Sequence, residues 1–512
     1  MKINKLALTI ATLCLTACAS SKGPVTPTFQ ANDIASEITQ IYDFVPPQNL
    51  KLNEVMAYVL TRNQDMATKR HEKSIAEGDK IFASLDYLPQ ITATLDNRER
   101  DRLNLSTSAR LGEAPIEGVD TTPSFSAPLE VQNRTLSARW DLLNIIENYL
   151  VNVPKKKNAI YIAQLNREKA AQNVFRDVHS AFYLTAIYQT EGVALISLRN
   201  KLKNNLNEIC EPILESEVMD DVLATRCTSG LETLNNVDNL IQKLQAAEIN
   251  LAALMRVSPD VQISLATPDF SDPGYIDVDV EGLVDVALAN RPEIAIEIIK
   301  ERNAKLDKRG AYLDILPSLE FGYSYNETDN PFIVNSEWEE ESVALTWNII
   351  GKAIGAPFQA KAANRRGLLA NSRKRAFALV AITQTHLAHQ RYVGSRETWI
   401  NTHRQMRIET RRSEKQEALF ANGQLSEVVY LTDRINKIFA TVKAKASHVE
   451  MTDSIAQLML SIGVPVTPSV DSSRSFDELA RKIEKQLQAL SILEGYARVP
   501  VGPSRIYANS PS

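Results

Sequence analysis

Leu85-Asp86-Tyr87-Leu88-Pro89-Gln90-Ile91 returns later in the chain as Leu313-Asp314-Ile315-Leu316-Pro317-Ser318-Leu319. The offset is 228, and it holds without a gap from Leu52 to Ile91 against Val280 to Leu319. In a chain of 512 residues, such an offset predicts two copies of one large unit. In each copy a helix-like segment runs into Leu-Pro and a strand-like segment follows. Proline has no amide hydrogen and pushes its predecessor toward extended geometry. Pro89 and Pro317 therefore read as helix-to-strand borders.

Outward from these borders, Val55, Val59, Met66, Ile75 and Phe82 mark a helix over 52–88, weakly interrupted at Gly78. Its twin covers 281–316 with a break near Pro292, so each reads as two helices in series. After Pro317 the alternation of Leu319, Phe321, Tyr323 and Tyr325, then of Val343, Leu345, Trp347 and Ile349, predicts a hairpin over 318–350. The first copy's hairpin spans 90–143, with a return strand of Leu136, Ala138, Trp140 and Leu142. Its outgoing strand, Ile91 to Leu111, alternates only in parts, because Asn97 to Arg102 is densely charged. Trp140-Asp141-Leu142-Leu143 matches Trp347-Asn348-Ile349-Ile350 at an offset of 207. The first hairpin is thus 21 residues longer, and the extra length falls around Gly112 to Pro128, where an insertion costs little.

Beyond each hairpin, apolar and small residues recur at heptad spacing. The reading is two long antiparallel helical hairpins, 155–257 and 357–463. The second turns at Phe420-Ala421-Asn422-Gly423, where Asn-Gly supplies positive φ; the offset puts the first tip at Ser216. A connector occupies 259–279, and a tail over 465–512 holds a helix at 476–494. Ser475 and Glu478 make that helix's capping box, and its single apolar stripe predicts packing against the body.

The N-terminus has a basic start, a short apolar run and Leu15-Thr16-Ala17-Cys18. This reads as a signal peptide over 1–17, followed by a tether over 18–51. Its end resembles a bacterial lipobox, which would make Cys18 the acylated first residue. No segment has the ~18 unbroken apolar residues of a membrane-crossing helix, so any crossing must use β-strands. The formal charge of −5, with no basic run among aromatics, argues against a nucleic-acid partner. No nucleotide-binding glycine loop or nucleophile elbow occurs, so no enzyme activity and no cofactor is expected.

Two copies of helix, Leu-Pro, β-hairpin, Trp-led strand end and helical hairpin, with the tip Phe420-x-x-Gly423-x-x-Ser426, resemble the TolC-type outer-membrane factor family. The resemblance spans about Leu52 to Val464. It implies an α+β membrane protein and a homotrimer. Each protomer gives four strands to one 12-stranded barrel, and its helices form a periplasmic tunnel. It implies a passive exit duct served by a periplasmic adaptor and an inner-membrane pump of RND or ABC type. At the second tip Gln424-Leu425 follow Gly423 where the family often has a basic residue, and the first tip lacks its glycine, so both tips depart from the family's pattern for adaptor docking. The competing reading is a non-conducting periplasmic lipoprotein spacer.

Some residues invite more specific expectations. Cys210 and Cys227 are centred on the first tip and should face each other as a disulfide across the two arms. Acids gather near the tips: Asp220 and Asp221 in the first copy, Glu427 and Asp433 in the second. Asp220 and Glu427 are equivalent by offset, so a trimer would carry six carboxylates at the periplasmic entrance, favouring cations. His179 and His386 are also equivalent and would lie at one tunnel level. No acid or cysteine completes a ligand set there, so no metal is assigned.

Overall fold

The computed structural model describes residues 45–103, 105, 125–215, 221–258, 260–271, 279–347, 350–351, 354–463 and 475–490. The chain begins with α1 (Leu52–Arg62) and α2 (Gln64–Leu85). The break between them lies at Asn63, not at Gly78, which sits inside α2. Asn63 caps α2: its side chain accepts from the amides of Asp65 at 2.9 Å and Met66 at 3.3 Å. The equivalent break in the second half separates α6 (Val280–Asn290) from α7 (Pro292–Leu313) and uses a proline in the first turn of α7 instead. Two different chemistries interrupt the helix at one equivalent place.

Next come β1 (Gln90–Glu99) and β2 (Glu130–Asp141). β1 is shorter than the alternation predicts, ending where Arg98 to Arg102 concentrates charge. A short α3 (Leu142–Glu147) and a π-turn (Asn148–Asn152) lead into α4 (Val153–Glu215), which is 63 residues long, and α5 (Asp221–Met255) follows. The second half repeats this order with β3 (Ser318–Thr328), β4 (Glu337–Thr346), α8 (Ile354–Ala421) and α9 (Glu427–Ser461). A last helix, α10 (Phe476–Leu490), closes the described chain.

At 1.5 Å per residue α4 and α8 reach about 95 and 100 Å, nearly twice the ~50 Å of the 35-residue α5 and α9. Each long helix therefore needs two partners in line. α4 packs on α5 toward the tip and on α2 toward the sheet; α8 packs on α9 and α7 in the same way. Contacts of α4 with α9 and α7 join the halves into a four-helix layer. Its order is α5–α4–α9–α8 toward the tips and α2–α4–α7–α8 toward the sheet.

The α8 seam is lined by small residues: Ala356, Ala360, Ala363, Ala370, Ala381 and Ala388 are buried. Small side chains let backbones approach, and two hydroxyl pairs cross to α9: Ser395 to Ser454 at 2.8 Å and Thr402 to Ser447 at 2.5 Å. A belt of larger side chains sits where helices end. Val55, Leu60, Phe175, Phe182, Leu251 and Met255 form its first half, and α10 adds Leu479 and Ile483. Tyr58 of α1 lies 4.2 Å from Phe476 of α10, ring centre to ring centre.

At the end of α9, Gly463 has φ +74°, and a Cβ there would meet the backbone of Asn290 at 2.7 Å. Arg291 donates to the carbonyl of Ser461 at 2.7 Å, tying this end to the α6–α7 break. Gly463→Ala adds both backbone strain and a clash with main chain. It is expected to lower stability by about 1–3 kcal/mol, seen as an earlier helical melting transition by circular dichroism.

Candidate channel-forming sheet and helical tips

The four strands form one antiparallel sheet in the order β1-β2-β3-β4. Its register decides what each face carries. Ile91, Ala138 and Tyr323 stand side by side, then Ala93, Leu136 and Tyr325 in the next row of that face. Trp140, Phe321 and Val343, with Leu319 and Leu345, continue it toward the helices. The opposite face reads Thr92, Ser137, Ser324 and Glu340, beside Gln90, Arg139, Gly322 and Ser342. One face is mainly apolar and the other polar, and both are open to the surroundings: Ile91, Leu95, Leu136, Trp140, Phe321, Val343 and Leu345 are exposed on the first, and Gln90, Thr92, Arg139, Glu340 and Ser342 on the second. On β4 the first face turns acidic away from the helices, where Glu341, Glu339 and Glu337 continue its rows. Among the described residues nothing pairs with the free edges of β1 and β4.

Both Leu-Pro borders close in the same way. Before Pro89 the Leu88 amide donates to Leu85 at 2.9 Å, and before Pro317 the Leu316 amide donates to Leu313 at 2.9 Å. The strand then starts one residue past the proline. Trp347 Nε1 donates to the carbonyl of Ile315 at 3.0 Å, pinning the end of β4 to the second border. Asp141 caps α3 through the Asn144 amide at 3.1 Å and accepts from Ser318 Oγ at 2.7 Å, binding the two hairpins at their helical end.

At the far end, Gly423 has φ +70°, and its amide donates to Phe420 at 2.9 Å. Phe420 and Tyr430 stack flat across the turn with ring centres 4.2 Å apart. Ser216 and Asp220, like Cys18, lie outside the described residues. Asp221 and Glu427 are exposed at the starts of α5 and α9. Cys210 and Cys227 are bonded, with Cα atoms 5.8 Å apart, across α4 and α5.

The same architecture occurs in solved outer-membrane channels. The chain matches CmeC of Campylobacter jejuni with a TM-score of 0.59 at 16% identity, covering 86% of this chain and 89% of that one. OprN matches with 0.58 at 15% identity over 80% of this chain and 89% of that one. The open state of MtrE from Neisseria gonorrhoeae gives 0.58 at 14% identity over 81% and 89%. The chain has the fold of an outer-membrane channel. The resemblance to TolC-type factors thus holds in three dimensions, whereas no family model and no curated protein matches the sequence.

Within this fold Asp433 departs from the sequence reading, and His179 and His386 take different surroundings. Asp433 does not face an opening; it is 3% exposed, in the seam between α8 and α9, with Arg412 Nη2 2.9 Å from its Oδ1. Its other carboxylate oxygen meets no donor among the described residues. His179 likewise lies in a seam, 7% exposed, paired through Nδ1 with Asp453 of α9, while its offset twin His386 is exposed on α8. They share a level in sequence but not an environment. Facing residues on antiparallel arms keep a nearly constant position sum, which the hydroxyl pairs obey and which puts Gln416 opposite Asp433; the seam position of Asp433 was therefore within reach of the sequence, but its partner Arg412 and the His179–Asp453 pair were not. Among the described residues no group of three or more His, Cys, Asp or Glu is placed to hold a metal.

Burial pushes the Asp433 carboxyl above its ordinary range, and Arg412 offsets this only in part. A folded-state value above the unfolded one means that the charged form is disfavoured in the fold. The stability tied to the neutral carboxyl is present at low pH and lost as pH rises through the folded value. Asp433→Asn should therefore raise the thermal midpoint at pH 7.5, with the gain shrinking as pH is lowered through the carboxylate range.

Proposed function

We propose that three copies of this chain close into one 12-stranded barrel in the outer membrane of a Gram-negative cell. The helices form the periplasmic tunnel beneath it, and the whole is the passive exit duct of a tripartite efflux or secretion system. An inner-membrane pump of RND or ABC type supplies energy, and a periplasmic adaptor connects the two. Cys18 carries the lipid anchor.

The observation that carries this reading is the sheet. One face is mainly apolar yet exposed, the other is polar, and both edges are open among the described residues. In water that arrangement exposes a hydrophobic surface and two rows of unpaired backbone groups. In a closed barrel the apolar face meets lipid, the polar face lines a lumen, and the edges vanish. The helical layer carries matching open flanks: Ile75, Ile81 and Phe82 of α2 and Leu231 and Ile249 of α5 are exposed at one end of the layer, Leu368, Leu379, Leu387 and Ile408 of α8 at the other. Copies set side by side would cover both. The spacer reading leaves the apolar face of the sheet without a role.

Purified protein in planar bilayers is expected to give discrete conductance steps and heat-modifiable migration; a monomer with neither would sink the duct. The two faces should respond differently to charge. Leu136→Arg, toward lipid, costs about 2–4 kcal/mol if near mid-membrane and should lower the yield of assembled trimer, whereas Ser137→Arg should not. At the tunnel entrance we assign the six-carboxylate ring to Asp220 and Glu427. Asp220→Asn with Glu427→Gln is expected to abolish cation preference in the same bilayers, read from the reversal potential.

A further inference from the structure

We propose the register in which neighbouring copies join: β4 of one copy pairs with β1 of the next so that Ser342 faces Asp96. Arg98 then stands opposite Glu340 of the next copy on the lumen side, and Leu95 opposite Val343 on the lipid side. The inference rests on the trimeric barrel proposed above and specifies its closing seam.

Within one protomer a row of partners runs Gln90, Arg139, Gly322, Ser342. With no stagger at the seam, Ser342 would face Gln90 of the next copy. A tilted barrel requires a stagger, and threefold symmetry repeats it three times around the ring. The stagger must be even, since an odd shift sends every lipid-facing side chain into the lumen. Strands spaced ~4.8 Å apart and rising ~3.4 Å per residue tilt by about 20° for a stagger of two, 35° for four, 47° for six and 55° for eight. Only four and six bracket the usual range of about 35–45°. The opposite direction of stagger leaves β1 and β4 almost without overlap, because β1 begins at Gln90 and β4 begins at Glu337.

Side-chain chemistry separates the two. A stagger of four sets Asp96 against Glu340 and Leu95 against Glu341, a like-charge pair and a carboxylate on an apolar row. A stagger of six sets Arg98 against Glu340, Leu95 against Val343 and Ala93 against Leu345. Directly opposed opposite charges stabilise a strand pair and like charges oppose it. Glu337 and Glu339 lie on the mainly apolar face, diagonally across from Tyr325 and Tyr323 and within electrostatic reach of their hydroxyls. Glu340, on the polar face, has no partner among the described residues. Arg98 pairs with Asp96 of its own strand at 2.7 Å, and its five donors leave room for a second carboxylate. The six-residue register leaves one like-charge pair, Glu99 with Glu339, near the ends of the strands.

The test is oxidative cross-linking of the full-length protein in outer membranes. Arg98→Cys with Glu340→Cys is compared with Asp96→Cys with Glu340→Cys, the pair expected from a stagger of four. Faster cross-linking of the first pair, by several-fold, into covalent trimers is the expected result. Preferential or equal linkage of the second overturns the register. Arg98→Glu should lower the fraction of detergent-resistant trimer, and adding Glu340→Arg should restore it; failure to restore also overturns the pairing. Native protein assayed alongside separates the two levels. Conducting trimers with the wrong linkage refute the register alone, whereas absence of trimer and conductance removes the duct and the register together.

Discussion

Backbone hydrogen bonding at the edges of the sheet is the constraint from which the rest follows. A lone four-stranded meander leaves one row of donors and acceptors on β1 and another on β4. Lipid offers those groups nothing, and each unpaired group there costs several kcal/mol. The exposed apolar face is costly in water, and the open edges are costly in lipid for a single copy. The proposed ring of copies satisfies both demands. In the proposed assembly the same demand passes to the helices, because strands splayed around a ring require the helices below them to form a ring of the same symmetry.

The helix lengths fit that assembly. α4 and α8 run unbroken past the level at which α5 and α9 end, and α2 and α7 take over as partners beyond it. The handover is where cores are densest and where Gly463, Arg291 and Asn63 sit. A continuous helix spanning a junction between two shorter ones works as a splint: it carries geometry from the sheet to the tip without a hinge. The small-residue seam of α8 fits this role, since alanine, serine and threonine hold two long helices close. Polar pairs such as His179 with Asp453, Lys445 with Glu191, and Arg412 with Asp433 fix lateral position instead.

Features that repeat within the sequence were legible from it, because repetition needs no knowledge of distant contacts. Pro89 and Pro317, the tryptophans at the strand ends and Gly423 at the second tip act through local backbone chemistry, so their meaning lies within a few residues. The break at Asn63 was hidden for a physical reason. Asparagine signals a cap only if the next turn is helical, and Gly78, the more conspicuous breaker, is overridden by packing on α4. Asp433 was misplaced because its burial is set by the facing arm, and the partner of His179 was hidden because it lies hundreds of positions away. Their types alone read as surface groups.

Charge on β4 shows how the two scales meet. Glu337, Glu339, Glu340 and Glu341 make a poor lipid-facing strand when read alone, and the apolar stretch left to β4 is short. Beside β3 the conflict is eased, because Tyr323 and Tyr325 lie diagonally across from Glu339 and Glu337 on one face, within electrostatic reach of their carboxylates. Each tyrosine thus sets an amphipathic ring near a carboxylate, a use of one apolar body and one polar tip suited to a membrane boundary. Glu340 falls on the other face and gains nothing from this. Its charge is compensated only if a cation arrives from outside the protomer, and Arg98 is the base that lies on the same face of the opposite edge strand. An edge strand that is acidic toward the lumen and a partner edge with arginine at the matching height make pairing between copies selective for one register. Selectivity of that kind is what a barrel assembled from separate chains requires, since a slipped seam would still satisfy the backbone.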